Sequence, residues 1–450
     1  MTPAAQSADP SADVFHAHEL DAYFANLAQY THIALAVSGG ADSVALMLLV
    51  HNWLNRRPGS PQITVLTVNH KLREAAAAEA EWVKHAAEAL HFHHQTLAWE
   101  GEKPRSGIQA GARRARYDLM TAYCRAATIP AIVTAHTSDD QAETFVMRLE
   151  RDSGLDGLSA MEEAARRDGI DILRPLLMVS RRRIEAFLEQ RKQPWLENPS
   201  NRDERYERVR IRRKLSAARS LGLSPEKLAL SARRLRRARD ALDLVTAEFL
   251  RTKVSLHQAG FARLRLLELF GLQEEVALRA LTRMIVSVGG GGPLRLSKIE
   301  AYYQMMRATP RSATLGGCHL IAKDAELTII REIGRMGVGC DSIIQPGETL
   351  HWDRRFTVTY GAEAGAAMLR VLGVDGFRAV KVAEGRFSQV PRLAAMTLPA
   401  LWRDGMLCYA PFVDFAGPAP DAWSLRSHAE FTNAWTMMTP GREGPAHSRS

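Results

Sequence analysis

Six residues, Ser38-Gly39-Gly40-Ala41-Asp42-Ser43, lie between two apolar runs and constrain the fold more than any other part of the chain. The run at 33–37 predicts a buried strand, and the run at 44–50 predicts a helix. Glycine adopts positive φ and carries no Cβ, so the backbone N–H groups of such a loop can close around an anion. The following helix adds the positive end of its dipole at the same place. The sequence therefore predicts a strand, loop and helix that bind phosphate.

This loop differs from two common phosphate-binding motifs. It lacks the Gly-x4-Gly-Lys-Ser/Thr lysine of NTPases that cleave the γ-phosphate, and that motif is absent from the whole sequence. It also lacks the spacing of the dinucleotide fingerprint. Ser-Gly-Gly-x-Asp-Ser instead resembles the pyrophosphate loop of ATP pyrophosphatases, which adenylate a substrate and release pyrophosphate. The resemblance implies that all six residues bind ATP, whereas the alternative is an ordinary strand-to-helix turn.

Apolar strand patterns alternate with helical patterns from residue 30 to about residue 190. We expect strands at 32–37, 63–68, 94–98, 130–135 and 171–177, and helices at about 42–55, 74–91, 108–127 and 139–151. This alternation predicts an α/β fold with a parallel, doubly wound sheet, similar to the adenine nucleotide alpha-hydrolase-like fold. In such sheets ligands bind beyond the carboxyl ends of the strands, where the glycine loop lies.

Shifts in composition divide the chain into five expected segments. Residues 1–28 are expected to be a disordered leader, and residues 29–220 the catalytic domain with the ATP site. A mainly helical domain at 221–335 and a small mixed α/β domain at 336–425 should follow, and residues 426–450 should be a disordered tail.

Basic residues are concentrated in one part of the chain, which we call the basic segment, residues 181–240. It contains 19 Lys and Arg and 8 Asp and Glu, a net charge of +11, whereas the whole chain carries +9. Such a concentration is typical of a site for a polyanion, and a nucleic acid is the favoured interpretation. The alternative is a solvated helical face.

The cysteines and the hydropathy indicate where the protein works. Cys124, Cys318, Cys340 and Cys408 are far apart and form no Cys-x-x-Cys pair, so neither a disulfide framework nor a zinc site is expected. No stretch approaches the length of a membrane span, and the first twenty residues contain no apolar run typical of a signal peptide. We therefore expect a cytoplasmic protein without membrane association.

A second polar motif follows the strand expected at 130–135. His136 lies at the carboxyl end of that strand, and Asp139 can cap the helix that begins there. Asp140 and Glu143 share one face of this helix. Two carboxylates near a phosphate site indicate either Mg²⁺ ligation or capture of a cationic substrate. Helix capping with a surface ion pair is the alternative, but it accounts for Asp139 alone.

Two arginines on the helix expected at 108–127 form a third candidate group. Arg113 and Arg116 fall on one face of it. A guanidinium group presents several donors in one plane and so suits phosphate or carboxylate. The alternative is that both side chains are solvated.

Together these motifs resemble the bacterial tRNA(Ile)-lysidine synthase family. The resemblance covers roughly the first half of the chain, at 38–43, 69–73, 109–117, 136–144, 153–158, 174–176, 195–201 and 208–212. This chain departs from the family at three positions, because Asn69 and Asn198 stand where Asp is frequent and Thr137 stands where His is frequent. Asparagine cannot supply a carboxylate charge.

The resemblance implies a two-step reaction on the wobble cytidine of an isoleucine tRNA with a CAU anticodon. ATP first adenylates the C2 oxygen of that base, and pyrophosphate leaves. The ε-amine of free L-lysine then attacks C2 and displaces AMP. ATP and Mg²⁺ are the implied cofactors, the helical domain would recognise the tRNA, and a homodimer is compatible with the sequence.

The resemblance also implies roles for individual residues. The implied catalytic residues are Asp42, Arg113, His136, Asp140 and Glu143, with Asp42 as the Mg²⁺ ligand. The implied residues for binding lysine or tRNA are Arg116, Asp140, Glu143, Asn201, Arg208, Arg210 and Arg212.

Two other functions are compatible with a pyrophosphate loop. A tRNA thiolase shares the adenylation step but needs a cysteine or an iron–sulfur site for sulfur delivery, and Cys124 is the only cysteine in the first 300 residues. A non-catalytic ATP-binding module would need neither Asp42, Asp140 and Glu143 together nor the basic segment.

Overall fold

A computed structural model describes residues 15–57, 59, 61–71, 75–101, 103, 107–197, 205, 207–291, 294–336, 341–361, 365–384, 390–413, 415–416 and 428–431. The chain divides into two compact units, the first built mainly from residues 1–239 and the second from residues 240–444.

A six-stranded sheet forms the centre of the first unit. Its strands are β1 (His32–Ala36), β2 (Gln62–Asn69), β3 (His93–Ala98), β4 (Ala131–Val133), β5 (Ala164–Arg167) and β6 (Ile170–Leu173). They are ordered β3-β2-β1-β4-β6-β5. All neighbours pair in parallel except β5 and β6, which form an antiparallel hairpin at one edge. The predicted parallel sheet is confirmed, and the antiparallel edge strand β5 is an addition to it.

Both faces of β1 are buried. The helices of the unit are α1 (Ala17–Phe24), α2 (Ala41–Leu54), α3 (Ala75–Glu88), α4 (Ile108–Ala126), α5 (Ser138–Leu149), α6 (Leu155–Leu158), α7 (Arg181–Gln190) and α8 (Glu207–Ala218). Ile33 and Leu35 belong to a core that includes α2 and α7. Ala34 belongs to a second core, with Tyr117 and Met120 of α4. Because successive side chains alternate, a strand buried on both faces is a continuous apolar run, which made it recognisable in the sequence.

The central strands β1 and β4 lie side by side although they are far apart in the chain. From β1 the chain continues to β2 and β3 on one side, and it then crosses to β4 and β6 on the other. At such a reversal the loops after the two central strands leave a crevice at the carboxyl edge of the sheet. The loop after β1 carries residues 38–43, and the loop after β4 leads to Asp140. The topology therefore brings both motifs to one edge.

The expected disordered leader, residues 1–28, is wrong for its second half. Helix α1 is followed by a 3-10 turn at Ala25–Leu27, and Leu20, Phe24 and Leu27 are buried in the core of the first unit. The ring of Phe24 lies 5.7 Å from that of Trp53 on α2. The spacing of the three buried residues is helical and could have indicated this helix. Residues 1–14 lie outside the described residues.

The second unit contains two five-stranded sheets and one three-stranded sheet. Its strands are β7 (Ser255–His257), β8 (Phe261–Arg265), β9 (Ala313–Leu315), β10 (Cys318–Lys323), β11 (Glu326–Arg331), β12 (Ser342–Ile344), β13 (Thr349–Trp352), β14 (Phe356–Thr359), β15 (Ala367–Val371), β16 (Pro399–Arg403), β17 (Met406–Ala410), β18 (Phe415–Ala416) and β19 (His428–Phe431). The division between the two units, after Arg239, falls within helix α9 (Pro225–Lys253). The other helices of the second unit are α10 (Leu266–Phe270), α11 (Glu274–Val288), α12 (Leu296–Ala308), α13 (Gly373–Glu384) and α14 (Arg392–Ala395).

The expected segments of the second half agree only in part with this unit. Residues 221–335, expected to be mainly helical, also form the sheet β7-β8-β11-β10-β9. The described residues between 336 and 425 contain both strands and helices. Part of the expected disordered tail, 426–450, is instead strand β19, which pairs with β14. The boundaries at 220 and 335 stay predictions. Within the described ranges, no helix is long and apolar enough to cross a membrane.

Phe24→Ala should lower the free energy of unfolding by about 3–5 kcal/mol, because it removes a fully buried ring and leaves a cavity beside Trp53. Urea denaturation followed by circular dichroism measures this loss. Asn26→Ala, at an exposed position in the next turn, is the control and should stay within about 0.5 kcal/mol. Equal stability of the two variants would contradict the docking of α1.

Candidate active site

Gly39 makes the sharp turn of the loop after β1. Its φ is +84°, a conformation that side chains with a Cβ rarely adopt. A Cβ at this position would lie 2.6 Å from Cδ1 of Leu196. The Gly39 carbonyl also accepts a hydrogen bond from the Leu196 N–H at 2.9 Å. A distant segment therefore closes on the loop, and glycine is required at its point of contact.

The Ser43 side chain forms hydrogen bonds with two other residues of the loop. Its hydroxyl donates to the Gly40 carbonyl at 2.9 Å and accepts from the Ser38 N–H at 3.2 Å. The N–H groups of Ala41 and Asp42 lie in the first turn of α2, where no preceding helical carbonyl can accept from them. N–H groups of this kind, together with the positive end of the helix dipole, are what anion sites at helix N-termini use. The binding of phosphate at residues 38–43 stays a prediction.

Asp42 is paired with an arginine that the sequence analysis did not single out. Arg181 Nη2 donates to Asp42 Oδ2 at 2.9 Å, and each side chain is less than a quarter exposed. The backbone N–H of Arg181 donates to Asp139 Oδ2 at 2.8 Å, so Asp139 holds the first turn of α7. The Ser180-Arg181 sequence indicates a helix start. Nothing local, however, indicates that Asp42 is its partner.

Burial and charge oppose each other in this ion pair. Burial raises the pKa of Asp42, while Arg181 acts in the opposite direction. Burial acts to lower the pKa of Arg181, but the carboxylates of Asp42, Asp140 and Glu143 outweigh it and raise that pKa. Arg181 therefore stays cationic, and it lies within electrostatic reach of all three carboxylates that the sequence predicted.

Asp140 has a structural contact on one of its two oxygens. Its Oδ2 accepts hydrogen bonds from the Thr137 N–H at 3.0 Å and from the Thr137 hydroxyl at 3.1 Å. Thr137 and Asp140 together form the capping box at the start of α5. Its Oδ1 lies 3.7 Å from Nη1 of Arg208. Thr137 replaces the histidine frequent in the family and serves here as the cap. Asn69, another departure, accepts the Lys71 N–H at 2.9 Å, while Asn198 lies outside the described residues.

Glu143 is almost fully buried, with 1% of its side chain exposed. Arg212 Nε donates to its Oε1 at 2.8 Å. Its Oε2 has no hydrogen-bond partner within the described part of the chain. Burial, followed by the charge of Asp140, raises the pKa of Glu143. A buried carboxylate oxygen without a donor is unusual in a folded protein and indicates a place for a ligand.

His136 is uncharged at neutral pH. Burial lowers the pKa of His136 to about 3, and its Nδ1 lies 2.9 Å from the Thr134 hydroxyl. A neutral imidazole can donate or accept a hydrogen bond, but it adds no positive charge to the site.

Arg113 and Arg116 lie on α4 with side chains that solvent reaches. The surrounding protein displaces enough water to lower the pKa of both guanidinium groups. Like charges add to this effect, because Arg208 acts on both of them and Arg174 acts on Arg113. Guanidinium groups that repel one another favour an anion among them.

The basic segment is not a uniform solvated face. Arg208 and Arg212 approach Asp140 and Glu143, so they neutralise carboxylates. Arg210 is exposed, and it donates to the Arg205 carbonyl at 3.0 Å. Asn201 lies outside the described residues. The interpretation of the whole segment as a surface for phosphates is therefore too broad.

Asp42 fits a metal ion that is shared with a nucleotide. The described ranges contain no group of three or more His, Cys, Asp or Glu arranged to hold a metal. Mg²⁺ usually binds through one or two carboxylates, while water and substrate phosphates supply its other ligands. A partly exposed carboxylate beside a phosphate loop matches that pattern.

Cys124 is fully buried, and burial raises its pKa to about 12. A thiol with such a pKa does not ionise at neutral pH, whereas sulfur relay needs an accessible thiolate. Cys124 is the one cysteine in the first 300 residues, and it is therefore unsuited to the sulfur delivery that a tRNA thiolase needs.

The fold and the loop define a pyrophosphate-loop ATP-binding protein, and residues 13–218 match a family model described as a PP-loop domain. Curated relatives extend the match. The chain is 41% identical over 314 residues to the tRNA(Ile)-lysidine synthase of Bradyrhizobium diazoefficiens, covering 67% of this chain and 87% of that protein. It is 34% identical over 395 residues to that of Ruegeria pomeroyi, covering 85% and 89%. It is 34% identical over 360 residues to that of Wolbachia pipientis wMel, covering 78% and 83%.

The chain therefore belongs to the tRNA(Ile)-lysidine synthase family, as its motifs led us to expect.

Proposed function

We propose that this protein ligates L-lysine to C2 of the wobble cytidine of tRNA(Ile) with a CAU anticodon, using ATP and releasing AMP and pyrophosphate. The observation that supports this most strongly is the meeting of a phosphate loop with a buried carboxylate pair at one edge of the sheet. Membership of the family adds the substrates. A non-catalytic ATP-binding module would not explain why Oε2 of Glu143 is buried with no hydrogen-bond partner among the described residues.

In the first step the cytidine O2 attacks the α-phosphorus of ATP, and the bond to pyrophosphate breaks. The N–H groups at the start of α2 stabilise the charge that develops on the leaving group. Asp42 would hold Mg²⁺, which supplies further neutralisation of phosphate charge. Arg113 and Arg116 bring positive charge to the same edge. They stabilise the anionic phosphorus centre as it passes from ATP to the adenylate.

In the second step the lysine ε-amine attacks C2, and AMP leaves with the electrons of the C2–O bond. Oε2 of Glu143 is the group that receives the ammonium, because it is buried, accepts no hydrogen bond from any described residue and lies beside Asp140. The raised pKa of Glu143 also suits a base that takes the ammonium proton before attack. Asp140 adds negative charge, and His136 adds none at neutral pH.

The tRNA would be held by exposed arginines of the basic segment, such as Arg210, and by the second half of the chain. Residues 221–335 are the proposed tRNA-recognition domain. A cytoplasmic location follows from the substrates, and a homodimer is compatible with the proposal.

Incubation of the protein with labelled lysine, ATP and bulk tRNA tests the function. We expect label in the RNA, confined to an isoleucine tRNA, with one AMP and one pyrophosphate released for each lysine. Asp42→Asn should abolish pyrophosphate release while the fold, measured by circular dichroism, is retained. Sulfur incorporation, or ATP binding without lysine transfer, would contradict the proposal.

Glu143→Gln should raise the apparent KM for lysine about ten- to a hundredfold, because a charge-assisted hydrogen bond is worth about 1.5–3 kcal/mol. Its KM for ATP should be unchanged. Glu150→Gln is the matched control, since Glu150 follows the same helix and pairs with Lys214 of α8 at 2.5 Å without a buried oxygen to offer. A change in the KM for ATP alone would indicate that Glu143 binds the metal ion and not lysine.

Replacing both Arg210 and Arg213, two exposed residues of α8, with Ala should flatten the salt dependence of tRNA binding. Each phosphate contact contributes a slope of about −0.7 to −0.9 in the logarithm of the association constant against log salt, so the change for two contacts should be about 1.4–1.8. Cognate and non-cognate tRNA should weaken alike, because phosphate contacts carry no sequence information. Arg125→Ala, at the far end of α4, is the control. An unchanged slope of tRNA binding against salt would show that Arg210 and Arg213 do not contact the tRNA phosphates.

A further inference from the structure

The phosphate loop has no cation of its own. Residues 38–43 include neither lysine nor arginine. The start of α2 contributes the equivalent of about half a positive charge, which is small against the several negative charges of pyrophosphate. A side chain from elsewhere in the chain would have to supply the remaining charge.

Arg181 brings a guanidinium group to the start of α2. Nη2 lies 2.9 Å from Oδ2 of Asp42, which is itself in the first turn of α2, and Nε lies 3.5 Å from Oδ1. Its side chain is 24% exposed, so solvent and a ligand can reach it.

The backbone and the side chain of Arg181 are held differently. The backbone N–H is anchored by Asp139 at 2.8 Å, and the Ser180 side chain caps α7. Within the described residues, the guanidinium group donates its side-chain hydrogen bonds to Asp42. The side chain can therefore turn about its Cα without loss of the helix start.

We propose that Arg181 supplies the missing cation: its guanidinium group leaves Asp42 when a nucleotide binds and donates hydrogen bonds to the pyrophosphate part of ATP. The planar group suits phosphate oxygens because two N–H donors can bind side by side. Asp42, once released, is available to Mg²⁺. This inference rests on the proposed function only in that the loop binds ATP.

An exchange of this kind has a consequence that a permanent ion pair lacks. Asp42 and pyrophosphate compete for one guanidinium group, so removal of the Asp42 charge should strengthen the binding of pyrophosphate without metal. The same change should have the opposite effect when Mg²⁺ is present.

Calorimetric titration of inorganic pyrophosphate into the full chain, with EDTA to remove metal, measures this competition. We expect Asp42→Asn to bind more tightly than the wild type. Arg181→Gln should bind about ten- to a hundredfold more weakly than the wild type, and the double variant should be weaker than Asp42→Asn by a similar factor. Arg183→Gln is the matched control: Arg183 lies on the same helix, is 21% exposed and pairs with Glu19 at 2.6 Å. Its affinity should stay within about twofold of the wild type.

The double variant separates the two roles that Arg181 could have. If Arg181 only neutralises Asp42, the double variant will bind pyrophosphate as tightly as Asp42→Asn, and the proposal is wrong. It is also wrong if Asp42→Asn gains no affinity. Melting temperatures check that each variant folds, and Arg181→Lys, which keeps the charge but loses the planar donor pair, gives the same comparison if the Gln variants unfold. Since neither lysine nor RNA is present, failure of lysine transfer would leave this result unaffected.

Discussion

The parallel pairing of β1 with β4 is the constraint on which the site depends. Ile33 and Leu35 of β1 lie opposite Ala131 and Val133 of β4, so the two strands end at the same level. The phosphate loop and the start of α5 then leave the sheet side by side, although β2, β3 and three helices separate them in the chain. A shift of this register would move the carboxylates away from the phosphate loop while each motif kept its own local structure.

Charge at the site is balanced in pairs. Asp42 meets Arg181, Asp140 meets Arg208, and Glu143 meets Arg212. Three carboxylates within one partly buried region would otherwise repel one another and take up protons. The arginines come from the basic segment, which therefore serves the site as well as the surface. If the protein binds ATP and lysine as proposed, each ligand would exchange partners with groups that are already charged and oriented, so little new charge would have to be buried.

Patterns in the sequence predicted most elements of the first unit, and the elements that were missed have two different physical causes. Buried parallel strands such as β1 are continuous apolar runs, and the helices between them begin and end at polar turns. The edge strand β5 reads Ala-Ala-Arg-Arg and has no such pattern, because it is held by backbone pairing to β6 rather than by side-chain burial. Strand β19 in the tail, which pairs with β14, was also missed. Helix α1 and the 3-10 turn after it were missed for a different reason, since their three buried side chains, Leu20, Phe24 and Leu27, are spread through a polar segment.

The chain's amino-acid sequence by itself determined the glycine loop, the alternation of strands and helices and the spacing of Asp140 and Glu143. These features depend on residues that are neighbours in the chain, where propensity and periodicity act. Only the tertiary structure decided which groups meet. Arg181 reaches Asp42 across 139 residues, Arg212 reaches Glu143 across 69, and Leu196 closes on Gly39. Such contacts follow from how the sheet and its helices pack in three dimensions. A local sequence pattern does not indicate which distant residue a side chain will contact.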